Sequence, residues 1–562
     1  MAERSIVHYM AIGKYVENAK RLAEVVQVLA KHGFADVLRR LGVYEGAPAK
    51  VLQSLHLMNP PGEPETLGKR LRAALTDLGP TFVKIGQILS TRPDIVGVEM
   101  SNQLEALQDR VEQLSIDQIR AVVEDSLGRP IDEVFTSFDE TPAAAASLSQ
   151  VHKAVLNTGE IVAVKVQRPG IRAVIDADLQ LLTTIASRLE ERLEGTVWAD
   201  PVGLVAEAER SIHRELNFLI EQRIIEEFHA NFSESEEVFV PRAYPAACSE
   251  RVLTMDFIDG LRIDRVEEFE PRDCDPVIVA QRGCEALCLQ IFSHRLFHAD
   301  PHPGNILVTQ DNQIAFLDYG MVGRLERPDV FAIAELLQSI FERNAEQCTR
   351  ALLQFTATGD ADDHDALVRD IGDFISFEAQ TVVASGLVGE AIQRVIGILQ
   401  RHRLHLAPRI ALLLKALATV ENTARVLDPH LDMTPIIRPH VERIIEERYS
   451  ASHLLEDAQH DLIGALRIGR QLPEELAHLV RMLRRGRLRF QIDHYKLAQI
   501  AHVFDRASNR ITFGLITGAL IIGSSTLVSQ GSTVRQFGLV GFTVAGVLGV
   551  GLLVSILRSK NY

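Results

Sequence analysis

The stretch FHADPHPGNILV runs from Phe297 to Val308 and admits two readings. His298 and His302 have the spacing of a metal-ligand pair. Asp300 and Asn305 have the Asp-x4-Asn spacing of a phosphoryl-transfer loop, in which the aspartate orients or deprotonates the nucleophile and the asparagine holds a divalent ion. At i, i+4 the histidines share a face only on a helix. Pro301 and Pro303 disfavour helix there. Zinc would need further ligands, and the chain has no Cys-x-x-Cys pair to offer. The histidines are therefore expected to hydrogen-bond and shape the loop.

The acidic reading gains from its company. Lys165 sits inside IVAVKVQ (Ile161–Gln167). A lysine in an apolar strand must snorkel or meet a partner, because burying a lone charge is costly. The strand lysine of kinases holds nucleotide phosphates and pairs with a helix glutamate. RELNFLIEQR (Arg214–Arg223) offers Glu215 and Glu221 on one expected helix spanning Leu204–Phe232, and Glu221 is the candidate partner. Downstream, FLDYG (Phe316–Gly320) supplies Asp318, in the manner of a Mg²⁺-coordinating Asp-Phe-Gly. One carboxylate, one amide oxygen and phosphate oxygens suit a hard dication. Lys, Glu, Asp-x4-Asn and Asp-x-Gly in this order are far more specific than any one piece.

No Walker A pattern and no Gly-x-Gly-x-x-Gly loop occurs. Upstream of Lys165 stands TPAAAASLSQVH (Thr141–His152). Its small residues still let backbone approach a phosphate, less freely than glycine. Pro142, Ala143, Ala144, Ala145, Ala146, Ser147, Leu148, Ser149 and Gln150 are the expected nucleotide-loop residues, with Lys165 beyond them.

Composition narrows the class. The chain has 562 residues, 46% hydrophobic, with a net charge of −16, which argues against nucleic acid as the main partner. The 5 cysteines include no disulfide framework, as in a reducing compartment. The N-terminus has no secretory signal pattern. At the other end, Arg535 is the only charged residue between Ile511 and Leu557. Two apolar runs of about twenty residues, enough to cross a bilayer, flank it. A transmembrane helical hairpin is expected, with Arg535 at its turn. Arg506 and Arg510 before it and Arg558 and Lys560 after it place both ends, and the soluble bulk, on the cytoplasmic side. Gly514 and Gly518, and Gly541, Ala545 and Gly549, form small-residue faces. Such faces allow close contact within the hairpin or between two copies in a homodimer.

The order of elements predicts an α+β, two-lobed architecture with a cleft between the lobes. The expected organisation is an N-terminal helical segment (1–60), a helical extension (61–127), a β-rich lobe (128–260), a helical lobe (261–430), an amphipathic helical region (431–507) and two transmembrane helices (508–558).

FVKIGQILSTRPDIV, AAAASLSQVH, VAVKVQRPG, RELNFLIEQR, FHADPHPGNILV and FLDYGMVG together resemble the UbiB family of atypical, kinase-like proteins linked to ubiquinone biosynthesis. The resemblance covers about residues 70 to 430, and the hairpin is similar to that of bacterial members. It implies a protein-kinase-like fold with an alanine-rich nucleotide loop. It further implies that Lys165 contacts ATP phosphates, Glu221 pairs with it, Asp300 is the catalytic acid, and Asn305 and Asp318 hold Mg²⁺. The Lys-x-Gly-Gln segment from Lys84 to Gln87 would cover the cleft where a peptide substrate would lie. The implied activity is that of an ATPase or small-molecule kinase at the bacterial inner membrane. Membrane lipid, quinone or isoprenoid precursors and other ubiquinone-biosynthesis proteins are the implied partners. A nucleotide-sensing scaffold without turnover is the alternative. One departure stands out: Glu215-Leu216-Asn217 replaces the family's Glu-x-Asp, which removes a charge.

Overall fold

The computed structural model describes residues 20–35, 66–107, 113–192, 200–356, 361, 363–378, 388–450, 512, 514–526, 539–541, 543–547 and 549. The chain divides into two units, Met1–Leu455 and Glu456–Tyr562.

The strands of the first unit are Phe135–Phe138 (β1), Ala144–Ala145 (β2), Ser149–Leu156 (β3), Ile161–Gln167 (β4), Val238–Phe239 (β5), Val252–Asp256 (β6), Leu261–Arg262 (β7), Leu296–His298 (β8), Ile306–Val308 (β9), Ile314–Phe316 (β10) and Val322–Arg324 (β11). The first sheet runs β1-β3-β4-β6, with β2 also on β3. Its β3–β4 hairpin turns at Asn157-Thr158-Gly159-Glu160, where Gly159 has φ 102°. That conformation favours glycine. A second sheet runs β5-β10-β9-β7, and β8 pairs with β11.

Alternation along β4 sorts its side chains. Val162, Val164 and Val166 are buried with Ile119, Val122 and Val123 of helix Ile116–Leu127. Ala163 and Lys165 face the other way, and Ala163 joins the core of the larger lobe. The register sets Lys165 between Val151 of β3 and Leu253 of β6. A strand lysine thus reaches the cleft because period 2 excludes it from the valine face.

The helices begin with residues 20–31 (α1), Leu67–Leu78 (α2), Pro80–Ser90 (α3), Val98–Glu105 (α4) and Ile116–Leu127 (α5). Next come Ile171–Arg192 (α6), Pro201–Glu215 (α7) and Phe218–Asn231 (α8). The larger lobe adds Pro276–Cys288 (α9), Arg327–Glu342 (α10), Ala345–Gln354 (α11), His364–Asp373 (α12), Val388–Arg401 (α13), Pro408–Leu427 (α14) and Thr434–Arg448 (α15). Within the helical extension, Gly79, at φ 96°, ends α2 and Pro80 opens α3. One expectation needs correction. The span Leu204–Phe232 is two helices. Asn217 takes an extended conformation and its side chain accepts from Leu219 N–H, starting α8 afresh.

The N-terminal extension packs as helices. Val25, Leu75, Phe82 and Leu104 form one cluster with Leu181 of α6. Gly86 lies so close to Leu75 and Leu107 that a Cβ there would overlap both. Ile88 joins Leu148, Ile175 and Ile212 in another cluster, which ties α3 to the alanine-rich turn.

In the second unit, residues 514–526 and the described part of 539–549 are helical. They meet antiparallel along small residues: Gly541 abuts Ser524, and Gly549 lies near Thr517. Gly514 and Gly518 have no such neighbour. Among the described residues no helix is long and apolar enough to cross a membrane. The expected spans of about twenty residues are therefore not seen, and much of Ile511–Leu557 lies outside the described residues, as does 451–507 of the amphipathic region.

Gly323 of β11 sits opposite Phe297, and a Cβ there would overlap the tip of the ring of this fully buried side chain. Gly323→Ala is expected to destabilise the first unit by about 1–3 kcal/mol, as overpacking does. A wild-type midpoint in denaturant titration would contradict that packing.

Candidate active site

The cleft is organised around one ammonium group. Lys165 Nζ donates to Glu221 Oε1 and Oε2 at 2.8 and 2.9 Å and to Asp318 Oδ1 at 3.2 Å. Phe218 of α8 lies beneath it, with Nζ 5.3 Å from the ring centre. Glu221 stands in the first turn of α8 because Asn217 starts that helix. Its Oε1 also accepts from the Tyr319 backbone N–H at 3.3 Å. Asp318 Oδ1 accepts from Gly320 N–H at 2.9 Å. Tyr319 is fully buried and meets Phe228 of α8 edge-on at 5.1 Å.

Burial alone would lower the affinity of Lys165 for its proton. Asp318 and Glu221 outweigh that and hold it well above the usual lysine range. Burial pushes the Glu221 carboxyl up to about 7, opposed by Lys165, with Asp318 adding to the rise. Asp318 is half-buried, and Lys165 and Lys84 outweigh the effect of burial and hold it below the ordinary carboxylate range.

The opening loop supplies the other acid. His298 is buried and stacks on Phe316 at 5.1 Å. Its Nδ1 accepts from Asp300 N–H at 3.2 Å, so its Nε2 carries the proton donated to the Asp318 carbonyl. Burial keeps the ring neutral by lowering its pKa. His302 Nδ1 accepts from Gly304 N–H at 3.1 Å and caps the turn Pro303–Asn305. Both histidines shape the loop, and no cluster of three or more His, Cys, Asp or Glu suited to a metal occurs among the described residues. Asn305 Nδ2 donates to the Asp300 carbonyl at 3.4 Å, which leaves its amide oxygen for a cation. The Asn305 carbonyl accepts from Leu317 N–H at 2.9 Å and so joins the loop to the Asp318 strand. The donor set fits Mg²⁺: one carboxylate and one amide oxygen are too few alone and need phosphate oxygens to complete the shell.

The alanine-rich stretch is a hairpin. Ala144 and Ala145 pair with Val151 and Gln150, and Ala146 N–H donates to Ser149 at 2.8 Å. Ala144 is exposed, whereas Ser147, Leu148, Ser149 and Gln150 are buried. The Gln150 amide is committed to both backbone groups of Leu114. Arg168 holds the turn through the Ala146 carbonyl at 3.0 Å.

Two contacts were not read from the sequence. Lys84 Nζ pairs with Glu215 at 2.5 Å, and Glu215 lies against Gly320 beside Asp318. Half-buried Gln87 sits one turn on, with its carbonyl accepting from the Ser90 hydroxyl. Lys415 of α14 donates to Asp300 Oδ1 at 2.9 Å. A signal for Lys415 exists: it interrupts IALLLKALATV (Ile410–Val420), and a lysine in an apolar helix needs a partner as one in a strand does.

Family models and known proteins match this chain. The ABC1 atypical kinase-like domain matches residues 106–352, the UbiB helical domain residues 387–432 and the ABC1/UbiB kinase-like C-terminal domain residues 496–558. The "Probable protein kinase UbiB" of Pseudomonas putida strain W619 is 32% identical over 91% of this chain and 94% of its own length. That of Azotobacter vinelandii is 35% identical over 74% of this chain and 76% of its own length. A solved structure, the Rv3197–erythromycin complex from Mycobacterium tuberculosis, aligns with a TM-score of 0.46 at 22% identity, covering 60% of this chain and 84% of that one. The chain belongs to the ABC1/UbiB family of atypical kinase-like proteins.

Proposed function

We propose that the chain is a membrane-anchored, Mg-ATP-dependent atypical kinase or ATPase that supports ubiquinone biosynthesis, acting on or near lipid-like quinone precursors. The observation that carries the reading is the Lys165 ammonium shared by Glu221 and Asp318, with Asp300 and Asn305 tied to the same turn through His298 and Leu317. Lys165 would leave Asp318 for the phosphates while Glu221 keeps it aimed. Asp318 and Asn305 would hold Mg²⁺, which neutralises charge on the phosphates. Asp300 would orient the attacking hydroxyl or water. Ala143–Ala146, the arm that leads into the hairpin turn, would approach the phosphates. Lys84 and Gln87, on α3, would restrict access for a peptide. The relatives' names support a kinase linked to ubiquinone, and the near-uncharged stretch Ile511–Leu557 supports an anchor.

Mg-ATP hydrolysis by the full chain in liposomes tests the reading. Asp318→Asn is expected to lower turnover at least about 100-fold, since it removes charge stabilisation at the metal. A strain lacking the protein should regain its quinone with wild type and not with Asp318→Asn. Equal hydrolysis by both forms would defeat the enzyme assignment. Quinone restored by Asp300→Asn would favour the nucleotide-sensing scaffold.

The shared ammonium also has a stability consequence. Lys165→Met leaves Glu221, 3% exposed, without its cation. Breaking a buried pair this way costs roughly 3–5 kcal/mol. Adding Glu221→Gln to Lys165→Met should return part of that loss in chemical denaturation. A double variant less stable than Lys165→Met alone would contradict the pairing.

A further inference from the structure

The loop from Leu296 to Val308 contains an aspartate for the nucleophile and no lysine or arginine. Lys415 Nζ lies 2.9 Å from Asp300 Oδ1, and His298 and Lys84 stand near the same carboxylate. His298 is buried and neutral. Lys84 is engaged by Glu215. The ammonium in contact is that of Lys415, and it comes from α14.

That helix is firmly placed. Ile410, Ala411, Leu413 and Ala416 are buried in the core of the larger lobe. Arg409, nearly two turns ahead of Lys415, forms a two-pronged pair with Asp329 at 2.9 Å on each arm. Lys415 itself is only 14% exposed, so its stem is packed and its head has little freedom. Among the described hydrogen bonds, Lys415 takes Asp300 Oδ1 and leaves Oδ2 open.

We propose that Lys415 is a positioning residue for phosphoryl transfer, holding the Asp300 carboxylate so that Oδ2 faces the attacking hydroxyl or water. The inference rests on the Mg-ATP reading above. Asp300 Oδ2 takes the proton of the nucleophile as its oxygen bonds to the terminal phosphorus. The bond from that phosphorus to the bridging oxygen breaks, and the electron pair leaves with the nucleoside diphosphate. The proton passes from Asp300 to solvent. A carboxylate held at one oxygen has its direction set before the nucleophile arrives, which removes an ordering cost from the barrier. α14, within the segment that matches the UbiB helical domain, thereby becomes part of the catalytic apparatus.

The test compares Mg-ATP hydrolysis, KM for ATP and melting temperature for the full-length wild type, Lys415→Met, Lys415→Arg and Asp318→Asn. Lys415→Met should lower kcat roughly 30- to 100-fold, the scale of a small misplacement. KM should stay within about twofold, because Lys165 and Asp318 hold the nucleotide. Lys415→Arg should recover much of kcat, because the charge and its reach are kept. Wild-type kcat in Lys415→Met, with Asp318→Asn inactive, would overturn this inference alone. So would a joint loss of KM and melting temperature, or a loss of kcat that arginine does not restore. A wild type without hydrolysis would overturn both this and the turnover reading.

Discussion

Everything in the cleft depends on one lysine serving two carboxylates. Lys165 extends from the sheet, Glu221 from the first turn of α8 and Asp318 from the turn after β10. Taking Lys165 and Glu221 out of water beside half-buried Asp318 carries a large desolvation penalty, so the cluster adds little net stability. Its value is geometric. Strand register, the start of α8 and the Asp318 turn must all be right for the charges to meet. Glu221 couples two of these parts again by accepting from Tyr319 N–H.

The N-terminal extension belongs to the same arrangement. Gly86 lets α3 pack tightly against Leu75 and Leu107, and Lys84, just before it on the same helix, meets Glu215. The cleft then holds Lys84, Lys165 and Lys415 against Glu215, Glu221, Asp300 and Asp318. Positive and negative groups are almost matched. A free triphosphate would meet Asp300 and Asp318 as like charges, whereas one accompanied by a divalent cation would not. On the Mg-ATP reading proposed above, near-balance of this kind would make the metal a condition of nucleotide entry rather than an accessory.

Much of this was legible in the sequence where the signal is local. The strand IVAVKVQ around Lys165 lies where the sequence placed it, because period-2 alternation constrains neighbours in the chain. The break between α7 and α8 was hidden, because apolar periodicity continues across Leu216–Asn217 and only the extended backbone of Asn217 interrupts it. That break moves Glu215 and Glu221 onto different helices and sends them to different lysines. Lys415 was hidden for another reason. Its partner is 115 positions away, and no periodic pattern encodes a contact of that range. The expected membrane hairpin rests on composition alone, and among the described residues no helix is long and apolar enough to cross a membrane.

The histidine pair shows how the loop resolves its own ambiguity. A metal at His298 would take a ring nitrogen that is already in use, since Nδ1 accepts from Asp300 N–H and Nε2 donates to the Asp318 carbonyl. Protonation would forbid the first of these bonds. Burial opposes protonation, and the ring's neutrality is what allows it to accept at one side and donate at the other. One small heterocycle therefore fixes the spacing between the backbones of the two acids. Their side chains are left to Lys415 and Lys165, so the loop's backbone geometry and its charge geometry are set by separate groups.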